Sequence, residues 1–182
     1  LSNKPIILFP GSSNQISKYA DAIFFTSLLS GRNPKYLIEE QVISARKIND
    51  LNIEVIPTGY LLLKTEKKSA VELISNTSPL DMNNTNNVID HCLAAQYMGN
   101  KLLFLECGSN SNSSIELNLL KQINNKITIP LMIGGGIKSK EMALSLAESG
   151  ASYLVIGSLI EQKLDFNITL DINESVHGLN VS

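Results

Sequence analysis

The sequence predicts an α/β fold in which parallel strands alternate with helices in the manner of a (β/α) barrel. Three observations predict it. Short apolar runs recur along the chain, and they are continuous rather than alternating. Helix-like patterns separate them. The residues with chemical character gather just past the ends of the runs. Continuous apolar strands belong to a parallel sheet covered on both faces. Strands alternating with helices make βαβ units. The carboxyl ends of barrel strands are where such folds build their sites.

Pro5 to Phe9 (PIILF) is the first run and stops at Pro10-Gly11. Ala22 to Phe25 (AIFF) is the second, ending near Thr26-Ser27. From about Pro34 to Asp50, Ile38, Val42 and Ala45 share a helical face. Ile53 to Ile56 and Tyr60 to Leu63 are apolar runs flanking Pro57-Thr58-Gly59. Lys64-Thr65-Glu66-Lys67-Lys68 reads as a solvated loop, and the polar stretch from Asp81 to Asn87 as another. Val88, Cys92 and Ala95, with Ile89, Leu93 and Tyr97 beside them, mark a helix ending at Gly99.

Leu102 to Leu105 is an apolar run ended by Glu106, and Asn110 to Ser114 is a loop after it. Ile115, Leu119 and Ile123 mark the next helix. Leu131 to Ile133 runs into Gly134-Gly135-Gly136. Ser139 is an N-cap, and Gly150 a C-terminal glycine, for a helix carrying Met142, Leu146 and Ala147. Tyr153 to Ile156 is the last run and ends at Gly157. No linker divides residues 1–164, which read as one barrel-type domain. The tail, residues 165–182, shows no clear helical periodicity and receives no assignment.

Composition narrows the function classes. With 182 residues the chain can bury a real core. A net charge of −2 gives no basic footprint for nucleic acid. No apolar run approaches the roughly 18 residues of a membrane span, and the N-terminal residues show no basic segment followed by an apolar signal core. Cys92 and Cys107 are too few for a disulfide framework, and Cys92 falls on an apolar helical face as a small core residue. A reduced, cytoplasmic setting is expected. The chain begins at Leu1 and enters a strand almost at once, which reads as a fragment or a processed product.

Four constellations carry chemistry. Gly134-Gly135-Gly136 and, one βα unit later, Gly157-Ser158 leave bare backbone at two successive strand ends. Their N–H groups can hold one phosphate, aided by the helix ends that come after them. The same glycines also serve as tight turns without a ligand. Glu106, in Phe104-Leu105-Glu106-Cys107-Gly108-Ser109, is a carboxylate at the end of a hydrophobic strand. Such a group is costly unless used or paired, so it is either a base toward a substrate hydroxyl or half of a salt bridge. Gly108-Ser109 can donate to the same substrate. Tyr60 either lines a cavity or simply packs. His91 and His177 lack partner patterns and read as non-catalytic, and no metal-ligand spacing is present. The residues alone indicate a barrel-like enzyme that binds a small phosphate ester and uses Glu106 as a base.

Seven stretches, ILFPGSSNQIS, DAIFFTSLLSGRNP, EVIPTGYLLL, ELISNTSP, FLECGS, PLMIGGGIKS and YLVIGSLIE, together resemble one family. It is the geranylgeranylglyceryl phosphate synthase and heptaprenylglyceryl phosphate synthase group, and the resemblance runs from Pro5 to about Glu161. It implies a modified TIM barrel. It implies transfer of a prenyl chain, with geranylgeranyl diphosphate the expected donor, to the 3-hydroxyl of sn-glycerol 1-phosphate. This is the first ether bond of archaeal-type lipids, made with Mg²⁺ assisting loss of diphosphate. The family's strand end that meets glycerol phosphate falls on Phe104 to Asn110, that is Phe104, Leu105, Glu106, Cys107, Gly108, Ser109 and Asn110, with Glu106 as the base. Its phosphate-binding glycines fall on Gly134, Gly135, Gly136 and Gly157, with Ser158 beside them. Dimers or hexamers, and contact with a membrane surface at product release, are further expectations from it.

The chain departs from the family pattern at three of these positions. Phe104 stands where the family has tyrosine, Asn110 where it has glycine, and Ser158 where it has asparagine. The family's first two strands, and the aspartates that hold Mg²⁺, correspond to sequence upstream of Leu1, so about six of the eight strands of a full barrel are expected here and no metal ligand. Two other readings stand beside the synthase: another phosphate-ester barrel enzyme, and a non-catalytic remnant that binds phosphate.

Overall fold

Six strands pair in the order in which the chain makes them in the computed structural model, which describes residues 4–108, 114–157 and 166–178. They are β1 (Ile7–Leu8), β2 (Ala22–Leu28), β3 (Glu54–Leu62), β4 (Leu102–Glu106), β5 (Leu131–Gly134) and β6 (Tyr153–Val155). Every pairing is parallel. Successive parallel neighbours, joined by helices from β2 onward and by the 3₁₀ turn Ser13–Gln15 between β1 and β2, form the arc of a TIM-type barrel, with β1 and β6 at its two ends among the described residues. The helices are α1 (Glu40–Asp50), α2 (Ala70–Ser75), α3 (Thr85–Tyr97), α4 (Leu117–Asn124), α5 (Lys140–Glu148) and α6 (Phe166–His177).

Strand alternation sorts the side chains onto two faces. Leu61, Leu103, Leu105, Leu131 and Ile133 point outward and pack with Val88, Cys92, Ala95, Leu119, Ile123 and Leu146 from the helices. Phe24, Ile56, Tyr60, Leu102, Phe104, Met132 and Val155 point to the concave side and form a separate cluster. The helices expected around Cys92, Leu119 and Leu146 are all present. Ser139 caps α5 by accepting from Met142 N–H at 3.3 Å, and Gly150 follows it with φ of 112°.

Three expectations are corrected. Pro57-Thr58-Gly59 does not divide two runs: Glu54–Leu62 is one strand. Pairing with β4 starts only at Thr58–Leu102, and the Pro57 carbonyl accepts from Lys101 N–H at 2.8 Å. The missing proline N–H therefore falls just below the start of the ladder, where it removes nothing. Gly59 is needed because a Cβ there would sit 2.8 Å from the Ala95 Cβ of α3.

The helix from residue 34 turns a different face to the sheet. It begins with a π segment, Lys35–Glu39, whose wider turn rotates α1 relative to a regular helix. Gln41, Ser44 and Ile48 are buried, while Ile38 and Val42 are exposed. Gln41 donates to the carbonyls of Thr26 and Tyr36, tying the π turn to the end of β2.

The tail is not featureless either. Within it α6 buries Ile172, with Ile168 and Val176 packed against the same core. Their spacing of four puts them on one helical face.

Candidate active site

The concave face is layered by strand register. Leu28, Tyr60, Phe104, Met132 and Tyr153 lie side by side across five strands. One step toward the carboxyl ends come Leu62, Glu106, Gly134 and Val155. Below Glu106 the aromatic rings make a floor. Phe104 lies 4.9 Å from Tyr60 and 5.0 Å from Phe9, and Phe9 lies 5.6 Å from Phe24, centroid to centroid.

Glu106 is thus a carboxylate on an aromatic floor, 8% exposed. Burial pushes its pKa up to about 6, against the pull of one hydrogen bond, Gly108 N–H to Oε1 at 2.8 Å. It has no ion-pair partner among the described residues, which removes the salt-bridge alternative for them. A carboxylate with a pKa near neutrality can take and return a proton. Tyr60 is held in its neutral form well above the ordinary phenol range, first by burial and then by the Glu106 charge, so its hydroxyl keeps a proton to donate and can also accept. Tyr60 lies within β3, not past its end.

The glycines are first demanded by the chain itself. A Cβ on Gly134 would lie 2.7 Å from Cε2 of Phe104 and 3.0 Å from Oε2 of Glu106. Gly135 has φ of 88°, and its Cβ would lie 2.8 Å from both N and O of Gly108. Gly136 has φ of 73°. The object that approaches this backbone closely is therefore, at two of three positions, the end of β4. Gly157 differs: a Cβ there would meet none of the described residues within 4 Å, and the residue borders the cleft.

A cleft of about 510 Å³ crosses the carboxyl ends of the strands. Tyr60, Phe104 and Glu106 from β3 and β4 and Gly157 after β6 line it, with Tyr36 from the π segment after β2 and Val71 and Ile74 from α2 after β3. Not every predicted residue reaches it. The side chains of Leu105 and Cys107 face the helical core and are fully buried there. Burial also pushes the Cys107 thiol up to about 12, so it is an inert core group. Gly108 packs under Ser69 beside Glu106. Ser109, Asn110 and Ser158 lie outside the described residues. Sequence reasoning missed Phe9, Tyr36, Gln41 and Ser69. A π turn has no sequence signature, and Ser69 was hidden at the end of the lysine-rich loop. Among the described residues no group of three or more His, Cys, Asp or Glu is placed to hold a metal ion.

A family model described as the PcrB family matches residues 2–175, a span that reaches into α6. The chain belongs to the PcrB family. It is 40% identical over 162 residues to the geranylgeranylglyceryl phosphate synthase of Flavobacterium johnsoniae, covering 89% of this chain and 67% of that one. Wild-type GGGPS from Thermoplasma volcanium superposes with a TM-score of 0.90 at 34% identity, covering 100% of this chain and 72% of that one. A second solved structure is the (S)-3-O-geranylgeranylglyceryl phosphate synthase of Thermoplasma acidophilum in complex with substrate sn-glycerol-1-phosphate. It matches with a TM-score of 0.91 at 32% identity, over 98% of this chain and 72% of that one.

Proposed function

We propose that this chain joins a prenyl group from a prenyl diphosphate, with geranylgeranyl diphosphate as donor, to the 3-hydroxyl of sn-glycerol 1-phosphate. One observation carries the reading: a buried carboxylate, Glu106, with no ion-pair partner among the described residues, stands beside glycine turns in a family with a member solved on that acceptor.

The chemistry comes from the geometry. Backbone N–H groups of Gly135, Gly136 and Gly157 hold the acceptor's phosphate, and its 3-hydroxyl reaches Glu106. Gly108 holds Oε1, leaving Oε2 on the Gly134 side to accept the hydroxyl proton. The acceptor oxygen forms a bond to C1 of the prenyl chain as the bond from C1 to the diphosphate oxygen breaks. Diphosphate leaves, and Glu106 keeps the proton. Holding both substrates in line supplies much of the acceleration. The apolar wall of Val71 and Ile74 takes the prenyl tail.

The Mg²⁺ implied by the family resemblance has its ligands expected upstream of Leu1; the described residues offer no group of three or more His, Cys, Asp or Glu to hold it, and no step here runs through it. We keep it in the reading as an assay condition. The same reading places the enzyme in the cytoplasm as a homo-oligomer that meets a membrane surface to release product. No helix among the described residues is long and apolar enough to cross a membrane.

The test is transfer of labelled geranylgeranyl groups to sn-glycerol 1-phosphate with Mg²⁺, by the wild-type chain and by Glu106→Gln. Product from the wild type and a loss of at least 100-fold in the variant, about the scale of general-base catalysis, is the expected result. Equal rates would remove Glu106 from its role. No transfer from folded protein would end the synthase reading.

A further inference from the structure

Glu106 is oriented by a peptide that the sheet does not fix. The ladder holds the chain as far as Cys107, whose N–H donates to the Gly134 carbonyl at 2.9 Å. Gly108 comes next, with φ of 85°, and its N–H donates to Oε1 of Glu106 at 2.8 Å. Two neighbours close on this peptide. A Cβ on Gly135 would lie 2.8 Å from its N and O, so bare Gly135 backbone lies against it. A Cβ on Gly108 itself would lie 3.3 Å from the Cβ of Ser69 and 3.9 Å from Oγ1 of Thr65.

Ser69 is itself firmly placed. Its segment leaves the end of β3 and returns to it: Lys64 N–H donates to the Leu80 carbonyl at 2.8 Å, and Leu80 N–H to the Leu62 carbonyl at 2.9 Å. Within that excursion the Thr65 hydroxyl donates to the Lys67 carbonyl at 3.1 Å. Ser69 then caps α2, its Oγ accepting from Glu72 N–H at 3.0 Å. The Tyr36 hydroxyl ties α2 to the π segment by donating to the Ile74 carbonyl at 3.3 Å. The Ser69 oxygen is therefore used by its own helix, and the atom it brings to Gly108 is its Cβ.

We infer that Ser69 is a positioning residue for the Glu106 carboxylate and that it acts by holding the Gly108 peptide in place. The inference rests on reading Glu106 as the base, and it adds what keeps that base aimed. A glycine at positive φ leaves its peptide free to turn. A hydrogen bond weakens steeply once its N–H turns away from the acceptor. Contact with Gly135 and with the Ser69 Cβ removes that freedom, so the bond to Oε1 persists. The role lies in the Cβ contact, which sets it apart from the cap that the Ser69 oxygen makes.

Two variants separate the contact from the cap. Ser69→Gly removes the Cβ and keeps the helix start nearly as stable, because glycine is tolerated at an N-cap. Ser69→Ala keeps the Cβ and removes the capping oxygen. Tyr60 on β3 and Cys107 are the titratable groups raised by the Glu106 charge, and both keep their protons well above pH 6, so neither adds a step there. Thr65, Ser69 and Gly134 bring no charge. In Ser69→Gly the pH midpoint of kcat/KM should rise from about 6 by about one unit, since a weaker bond to the ionised carboxylate disfavours that form. Its kcat should fall about tenfold as the base loses its aim, with both Michaelis constants within about twofold. Ser69→Ala should melt about 3 °C lower with its midpoint still near 6. Ser69→Thr, which has both the Cβ and the oxygen, should keep the melting temperature and the midpoint. A wild-type midpoint and kcat in Ser69→Gly would overturn the inference, and so would a shift in Ser69→Ala as large as that in Ser69→Gly. If the wild type transfers nothing, the synthase reading fails separately, and carbon-13 NMR titration of the Glu106 carboxyl then decides. A midpoint raised in Ser69→Gly but not in Ser69→Ala supports the positioning role, and any other pattern overturns it.

Discussion

Gly108 N–H donates to Oε1 of Glu106 at 2.8 Å, from two residues further along the same chain. The bond orients the carboxylate without neutralising it. Burial outweighs it and leaves the pKa at about 6. Activity should therefore depend on one deprotonation: kcat/KM rises tenfold per pH unit below about 6 and levels off above it. A profile flat from pH 5 to 8 would show that the Glu106 proton does not matter.

The same group should cost stability. The folded carboxyl keeps its proton to about pH 6, the unfolded one only to about 4.5. Between these values the folded state binds more protons, so stability is lost as pH rises through that window and then stays constant. Glu106→Gln removes the penalty. Chemical denaturation should find the variant about 2 kcal/mol more stable than the wild type at pH 8, and no more stable at pH 4.

Gly135 and Gly157 separate folding from binding. At Gly135 an alanine meets both a left-handed φ of 88° and backbone 2.8 Å away. Gly135→Ala should lose about 2 kcal/mol or more, read as a fall in melting temperature. Gly157→Ala places its methyl clear of the described residues and should melt like the wild type. Its KM for sn-glycerol 1-phosphate should still rise several-fold if the Gly157 backbone holds the phosphate. An unchanged KM would take Gly157 out of the site.

The sheet, the helices around Cys92, Leu119 and Leu146, and Glu106 were legible because burial leaves strong marks: continuous apolar runs, helical spacing, and a lone acid at a strand end. Leu105 and Cys107 were carried along with their motif, although period-two alternation sends them to the helical face opposite Phe104 and Glu106. The α6 helix was hidden because Asn167, Thr169, Asp171 and Asn173 intervene among Ile168, Ile172 and Val176. The π turn was invisible, since its extra residue comes from tertiary bonds that Gln41 makes to β2, and with it went Tyr36 as a cleft residue.

Phe104 offers a gain of function. Its ring lies on the concave face, with Cζ 2.8 Å from where a Gly134 Cβ would be. A hydroxyl added at Cζ would sit beside Gly134 on a ring that lines the cleft. Phe104→Tyr should lower KM for sn-glycerol 1-phosphate by roughly fivefold, about the worth of one net hydrogen bond, with the donor KM unchanged. A loss of melting temperature without tighter binding would show that the floor has no room for the oxygen.

Arg32 ties the loop after β2 to α3. Its Nη1 donates to the carbonyls of Leu29 and Gly31, and its Nη2 lies 3.4 Å from Nε2 of His91. His91 Nδ1 is 2.7 Å from the Asn87 carbonyl, which can only accept, so Nδ1 carries the proton and Nε2 accepts from Arg32. The loop so fixed presents Ser30, whose hydroxyl oxygen accepts from Leu62 N–H at 3.0 Å, next to Glu106 in the ladder. Arg32→Lys keeps the charge but not the fork that spans two carbonyls and an imidazole. It should cost about 1–2 kcal/mol in denaturation and reduce kcat more than either KM, because the geometry around Glu106 loosens while the binding groups remain. His91→Ala should reproduce only a fraction of that loss, since the two carbonyl bonds survive it. An equal loss in both variants would instead put the imidazole contact in charge of the loop.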